Sequence, residues 1–420
     1  MTPRQRFVYA QFYFWYYAVV GAYTPYVGRW VVALGHGGAM AGAMIGLWYA
    51  SRVAGPPAWT ALTARSARPG RWLVYGCVLG LASFALFTCT RETVPLLLVM
   101  TVFGLFYNAL LPQFEAMTLT ALGRANHEYG RIRLWGSLGF LLVAGSYGWL
   151  LDRLGDGAFP WLCLPLLVIA VAAAWPHRDE QPARISVGTA EAGHLWRRPG
   201  VRRFLLMALL AQAGFGTFYV FYTLHLQANG HDGLHVGILW AIGVLAEIVM
   251  FWFAPGVLAR FGARRLLGFC LLVGTVRWAL TALFAASFTL MALVQLSHAF
   301  SFAVFQSCLM RMMADYFPGR RASAGQGLLY GFSSGFGGVL GAGVAAVLWH
   351  HGGGEWAFLG GSALTALAWL IHVSGKARSH AILPAGWGLG SNGTKNRDKD
   401  NFPLLVMDLG SCPDKGKIGS

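Results

Sequence analysis

The chain has 420 residues, is 56% hydrophobic and only 11% charged, and has a mean hydropathy of +0.53. Soluble globular proteins carry about 25% charged residues, so the composition excludes an ordinary water-soluble enzyme or binding domain. A net charge of +16 would suggest a nucleic-acid partner in a soluble chain, but here the basic residues lie in short links between apolar stretches, and no nucleic acid is expected.

Those stretches are each about 20 residues or more, enough to cross a hydrocarbon core of about 30 Å. Inside lipid every backbone polar group must be satisfied within the segment, so each stretch reads as a helix. The expected spans are 6–34, 40–64, 72–90, 94–122, 130–152 and 158–175, then 201–229, 233–260, 264–286, 288–315, 323–349 and 355–374. The fold class is therefore an all-α membrane protein of twelve transmembrane helices in two six-helix bundles. Residues 1–175 form the first bundle and 201–375 the second. A cytoplasmic linker at 176–200 carries Pro176, Pro182 and Pro199, and a Gly-, Asn- and Lys-rich tail at 376–420 reads as disordered and cytoplasmic. Six spans, a polar link and six more suggest two parallel repeats. No cleavable signal peptide is expected, because the first apolar stretch is too long and too aromatic.

Charge placement gives an independent orientation. With the N-terminus inside, 20 of the 25 arginines before residue 376 fall at inner helix ends or loops. Arg29, Arg91 and Arg153 fall at outer ends, and Arg52 and Arg277 fall within spans. This bias predicts a multi-pass protein of the bacterial inner membrane with both termini cytoplasmic.

Ionisable groups within spans are costly and are functional candidates for that reason. Two acids lie well inside: Glu115 in the fourth span and Glu247 in the eighth. Arg52, Arg133, Arg277 and His298 join them, with His225 a weaker candidate. A carboxyl held between apolar surroundings and a nearby arginine can change protonation as its surroundings change. Glu247 is thus the expected proton carrier, with Arg277 and His298 as its partners; a permanent Glu–Arg pair tying helices together is the alternative. Glu115 and Arg133, on adjacent spans, face each other as a substrate site or a structural ion pair. Arg52 lies at mid-depth, where snorkelling to the interface is difficult, and is expected in a central cavity.

The first span carries Phe12, Tyr13, Phe14, Trp15, Tyr16, Tyr17, Tyr23 and Tyr26, more aromatics than an interfacial belt requires. Tyr23 and Tyr26 are taken as candidate ligand contacts. Glycines at 335–343 resemble a phosphate loop, but no strand precedes them and no Lys-Ser/Thr follows; small residues at that spacing suit close helix contact. His350-His351 has no carboxylate or cysteine at ligand spacing, and the six cysteines form no CxxC pair. No metal site, cofactor or catalytic residue is expected.

These motifs resemble the lactose-permease-like branch of the major facilitator superfamily, and within it the phenylpropionate permease type. The resemblance rests on Gly21-Ala22-Tyr23-Thr24-Pro25-Tyr26, on Gly130-Arg131-Ile132-Arg133-Leu134-Trp135-Gly136, on Gly243-Val244-Leu245-Ala246-Glu247, and on Val276-Arg277 with Leu296-Ser297-His298. It implies that Glu115 and Arg133 match a substrate-binding pair and that Arg277 and His298 match coupling residues. Ser301 stands where lactose permease has an acid, which leaves Glu247 as the remaining mid-membrane acid of the second half. The drug-antiporter signature is missing from the fifth span. The expected function is proton-coupled uptake of a small organic anion, an aromatic acid such as phenylpropionate, by a monomeric carrier in the lipid bilayer. A sugar or nucleoside permease is the alternative. A polytopic enzyme or lipid flippase fits poorly, because Glu115 and Glu247 lie in opposite halves and no in-span histidine has an acid at catalytic spacing.

Overall fold

The computed structural model describes residues 1–63, 66, 68–180, 197–317 and 322–380. Most of the expected linker and nearly all of the expected tail therefore lie outside the described residues. The helices are α1 (Pro3–Ala33), α2 (Gly38–Thr63), α3 (Pro69–Ala85), α4 (Thr93–Leu122), α5 (Tyr129–Leu154) and α6 (Phe159–Ala174). They are followed by α7 (Pro199–Ala228), α8 (Gly233–Phe261), α9 (Ala263–Leu283), α10 (Phe288–Leu296), α11 (Phe305–Tyr316), α12 (Ala322–Leu329) and α13 (Gly338–His380). Nine helical segments among the described residues are long and apolar enough to cross a membrane. Neither α1, with 31 residues, nor α2, with 26, is among them. Tyrosine and tryptophan, which crowd α1, add bulk without much hydropathy.

The expected spans of the second half differ from the structure in two wide turns, while the break expected between 349 and 355 is present. The stretch expected at 288–315 is interrupted by a π-helical segment, Ala299–Val304, and a second one, Tyr330–Gly337, joins α12 to α13. Such wide turns are rare and concentrate at functional sites. Within α13 the chain reverses at Gly352–Gly353, where Gly353 has φ 64°. That left-handed geometry is cheap only for glycine. Gly341 and Gly361 on either side of the bend both meet α7 near residues 213–217, so the chain doubles back.

Local chemistry fixes the helix starts. Thr2 and Gln5 form a reciprocal capping box ahead of Pro3 at the start of α1, satisfying two otherwise orphaned N–H groups. Asp232 caps α8 by accepting from the His235 backbone N–H at 2.8 Å, which holds its carboxyl below the usual range. After α6, Tyr9 donates to Glu180, and His177 Nδ1 lies 2.6 Å from the same carboxylate. This contact ties the first residues of the expected linker to α1.

Within the first half α1 packs on α5 and α2 on α4; within the second, α7 packs along α13. The halves meet where α5 packs on α8 and α2 on α13, and among the described residues no comparable packing joins α4 to α10 or α11. Backbones approach closely at the end formed by the α5 C-terminus and the α8 N-terminus. There a Cβ on Gly148 would lie 2.3 Å from the Gly233 carbonyl oxygen. Asp152 accepts from the Gly233 N–H at 2.6 Å and pairs with Arg29 of α1 at 2.8 Å. Arg29 also reaches Asp156 at 2.6 Å.

This sealed end makes a prediction. Gly148→Leu forces α5 away from α8, and overpacking of this kind costs about 1–3 kcal/mol. The sealed form should lose population by about 5- to 150-fold against an opened one. A cysteine at Ala241, whose Cβ lies 3.5 Å from the Cβ position at Gly145, is the reporter. Its reaction with a water-soluble maleimide should be slow in the parent and fast with Gly148→Leu.

Candidate functional site

In the second half, Arg277 of α9 is only 2% exposed. Its Nη1 donates to His298 Nδ1 at 2.8 Å and to Ser301 Oγ at 3.0 Å, and its Nη2 donates to Gln295 Oε1 at 2.7 Å. The guanidinium also lies 4.4 Å from the Trp278 ring centroid and 4.7 Å from that of Phe218. A buried guanidinium must have its donors met, and here neutral acceptors meet both Nη groups, while Nε has no hydrogen-bond partner among the described residues.

His298 sits where α10 passes into the π-helical segment, its ring stacked on Phe302. Because arginine can only donate, Nδ1 must accept, so Nε2 carries the imidazole hydrogen. Nε2 lies 3.4 Å from Glu247 Oε2. His298 is therefore a neutral connector of defined tautomer between Arg277 and Glu247.

Of the two partners expected for Glu247, His298 lies beside it, and Arg277 reaches it only through that imidazole. The imidazole stands between the two groups, and Arg277 spends its fork on His298, Ser301 and Gln295.

In the first half, Arg133 of α5 donates to the Tyr17 hydroxyl and lies 4.0 Å from that ring's centroid. Its Nε is 3.8 Å from Glu115 Oε1, which also accepts from the Tyr129 hydroxyl at 3.1 Å. The structure thus brings Glu115 and Arg133 together. Arg52 of α2 lies beside the Trp48 and Tyr49 rings, and its Nε donates to Asn108 Oδ1 at 3.3 Å. Asn108 is itself fixed by donating to the Trp48 carbonyl and to Ser51 Oγ. Among the described residues no carboxylate pairs with Arg52, and the residue is exposed. Tyr49 packs against Tyr219 of α7, so Arg52 faces the gap between the halves.

Tyr23 and Tyr26 do not reach this gap. The Tyr23 hydroxyl meets Met100 Sδ at 2.6 Å among Trp48, Phe103 and Phe159, and Tyr26 donates to the Ala144 carbonyl at 2.6 Å. Both are fully buried inside the first half. The turn of α1 that faces the gap carries Tyr17 instead. His225 is likewise a helix tie, donating from Nε2 to the Thr281 carbonyl at 3.0 Å. Gln295, which sequence reasoning missed, had a legible signal: an amide three residues before His298 in an apolar run needs a buried partner. No group of three or more metal-ligating side chains is present among the described residues.

A family model described as the MFS_1 like family matches residues 7–360. The chain belongs to that family. The MFS protein is 27% identical over 314 residues to a protein of Escherichia coli (strain K12) described as a probable 3-phenylpropionic acid transporter, covering 72% of this chain and 80% of that one. It is 28% identical over 282 residues to the maltose permease of Geobacillus stearothermophilus, covering 64% of this chain and 69% of that one. The crystal structure of the nucleoside transporter NupG matches with a TM-score of 0.77 at 16% identity, covering 88% of this chain and 98% of that one. The MFS chain is a multi-pass membrane transporter, not an enzyme.

Proposed function

We propose that the protein is a proton-coupled symporter that takes up a small aromatic carboxylate by alternating access. The observation that carries this reading is the charge of the gap. Among the described residues Arg52, Arg133 and Arg277 stand against only Glu115 and Glu247, and Arg52 has no carboxylate of its own. A substrate carboxylate supplies the missing negative charge, and the Arg fork binds it bidentately. Tyr17 and Tyr219, both partly exposed, offer faces for an aryl ring. Glu247 is the proton site, His298 positions it, and Arg277 fixes the tautomer of His298. The name of the Escherichia coli relative supports the same substrate class.

The reading includes twelve spans in two bundles, 1–175 and 201–375, joined by 176–200. The nine apolar segments, α1, α2 and the reversal at Gly352–Gly353 support that count. Placement in a bacterial inner membrane with both termini cytoplasmic rests on the arginine bias.

Uptake of a neutral polyol such as a sugar is the second reading. Glu115 favours it, because a carboxylate beside an arginine can hold a hydroxyl from both sides, and a maltose permease is among the relatives.

The test is proton entry into lightly buffered proteoliposomes on addition of phenylpropionate, with protein-free liposomes as the control for passive acid permeation. Protein-dependent alkalinisation outside is expected. Its absence with aryl acids, together with a response to sugars or nucleosides, overturns the anion reading. A potential of 100 mV is worth about 2.3 kcal/mol per charge moved, so an imposed potential separates two protons per monoanion, which it drives, from one, which it does not.

A further inference from the structure

Away from the gap between the halves, a cavity of about 270 Å³ opens where α1 and α5 begin. Arg6, Phe7 and Ala10 of α1 form one wall, and Arg131 and Trp135 of α5 form the other. Glu128 closes its end, just ahead of α5, and Ile132 lies at its floor with Ala10, both buried. The two helices run in the same direction. Gly136 lies against the Tyr13 carbonyl, Gly139 against the Phe14 backbone and Gly21 against the Phe140 backbone, and Tyr26 donates to the Ala144 carbonyl.

That parallel register grades both walls alike. Arg6 and Ala10 are four residues apart, as are Arg131 and Trp135, so each arginine has an apolar residue one turn deeper on the same helix face. Phe7 and Trp135 are exposed, although both are large and apolar. With 31 and 26 residues, α1 and α5 are roughly 46 and 39 Å long, longer than a hydrocarbon core of about 30 Å, so their first turns stand at headgroup level. The cavity is thus cationic at the headgroup end and aromatic toward the acyl chains.

Its cationic end is short of acceptors. Arg6 Nη2 lies 2.9 Å from Glu128 Oε2, but the contact is not aligned as a hydrogen bond. Arg6 Nε and that carboxylate oxygen are buried with no hydrogen-bond partner among the described residues. Arg131 is exposed and forms no ion pair among the described residues. Two guanidiniums therefore face one carboxylate, which leaves one positive charge uncompensated. A phosphodiester carries one negative charge and accepts from a guanidinium bidentately, and basic pockets between membrane helices take anionic headgroups in this way.

We propose that this cavity is a binding site for one anionic phospholipid, its phosphate between Arg6 and Arg131 and an acyl chain along Phe7 and Trp135. A free anion would satisfy the arginines and leave the two aromatic side chains uncovered; a lipid matches both ends. The site lies outside the gap and does not depend on which substrate is carried.

The test titrates the purified carrier in neutral detergent with phosphatidylglycerol or zwitterionic phosphatidylcholine and reads one-lipid occupancy by native mass spectrometry. The parent is expected to hold phosphatidylglycerol at least tenfold more tightly. A basic residue facing an anionic lipid surface is worth about a fivefold gain, so Arg131→Gln should weaken binding about fivefold and Arg131→Gln combined with Arg6→Gln about 25-fold. Arg71→Gln removes an exposed arginine at the start of α3, outside the cavity, and should change little. Arg131→Gln keeps the Arg6–Glu128 pair, so it tests the site even where the double variant fails to fold, and thermal melting identifies folded variants. Equal binding of the two lipids by the parent, unchanged binding in Arg131→Gln, or an equal loss in Arg71→Gln overturns the site. Competition by glycerophosphoglycerol, the headgroup without chains, as strong as that of the lipid itself would overturn the lipid assignment in favour of a soluble phosphate ester.

Discussion

Glu247→Gln is expected to abolish uphill accumulation and to leave exchange of substrate across the membrane intact. The amide keeps the shape of the side chain and can stay beside His298 Nε2, which lies 3.4 Å from the carboxylate in the parent. What it cannot do is take up and release a proton. With one proton per substrate, each unit of pH gradient is worth about 1.4 kcal/mol, or tenfold accumulation. The variant should fall to no accumulation, measured as the steady-state ratio of labelled substrate inside to outside, while counterflow continues. His298→Gln separates the roles of the pair. Because Nδ1 is committed to Arg277, His298 is a positioning residue, and a glutamine can both accept from Arg277 and donate to Glu247. Coupling should therefore persist in His298→Gln with a displaced pH profile. Accumulation lost there and retained in Glu247→Gln would move the proton site to the histidine.

The sequence made the charged inventory legible and left its pairing obscure, for a physical reason. A charged side chain in an apolar span stands out whatever it touches, so Glu115, Glu247, Arg52, Arg133, Arg277 and His298 were all visible. Which partner each takes depends on helix rotation and on depth to within one turn. The Glu115–Arg133 contact was readable because α4 and α5 are joined by a short link, which leaves few ways to arrange them. The order Arg277–His298–Glu247 was not, because three helices must be rotated correctly to put the imidazole in the middle. Tyr23 and Tyr26 illustrate a second limit. On a helix aromatic almost all round, composition cannot say which face meets the ligand. Tyr17 and Tyr219 owe their positions to the packing of two halves, which leaves no periodic signature in one sequence.

Arg52→Gln tests the electrostatic core of the proposal from the opposite side of the gap. Glutamine can still donate to Asn108 and retains part of the aliphatic stem, so the packing of α2 on α4 should survive. The change removes the cation beside Trp48 and Tyr49 for which the described residues supply no counter-charge. Hydrogen bonds to charged groups are worth about 1.5–3 kcal/mol, so KM for an aryl acid should rise about 10- to 150-fold. Binding of the corresponding neutral amide, measured by competition, should change little, since it brings no charge to the site. A rise confined to the acid places the carboxylate at Arg52. Equal weakening of acid and amide would instead mean that Arg52 shapes the cavity, and would shift the anchor to Arg133. There the nearby Glu115 offsets part of the positive charge, and an anion would have to displace or share that carboxylate. The lone arginine is the more favourable seat for a single negative charge, because nothing must be given up to occupy it.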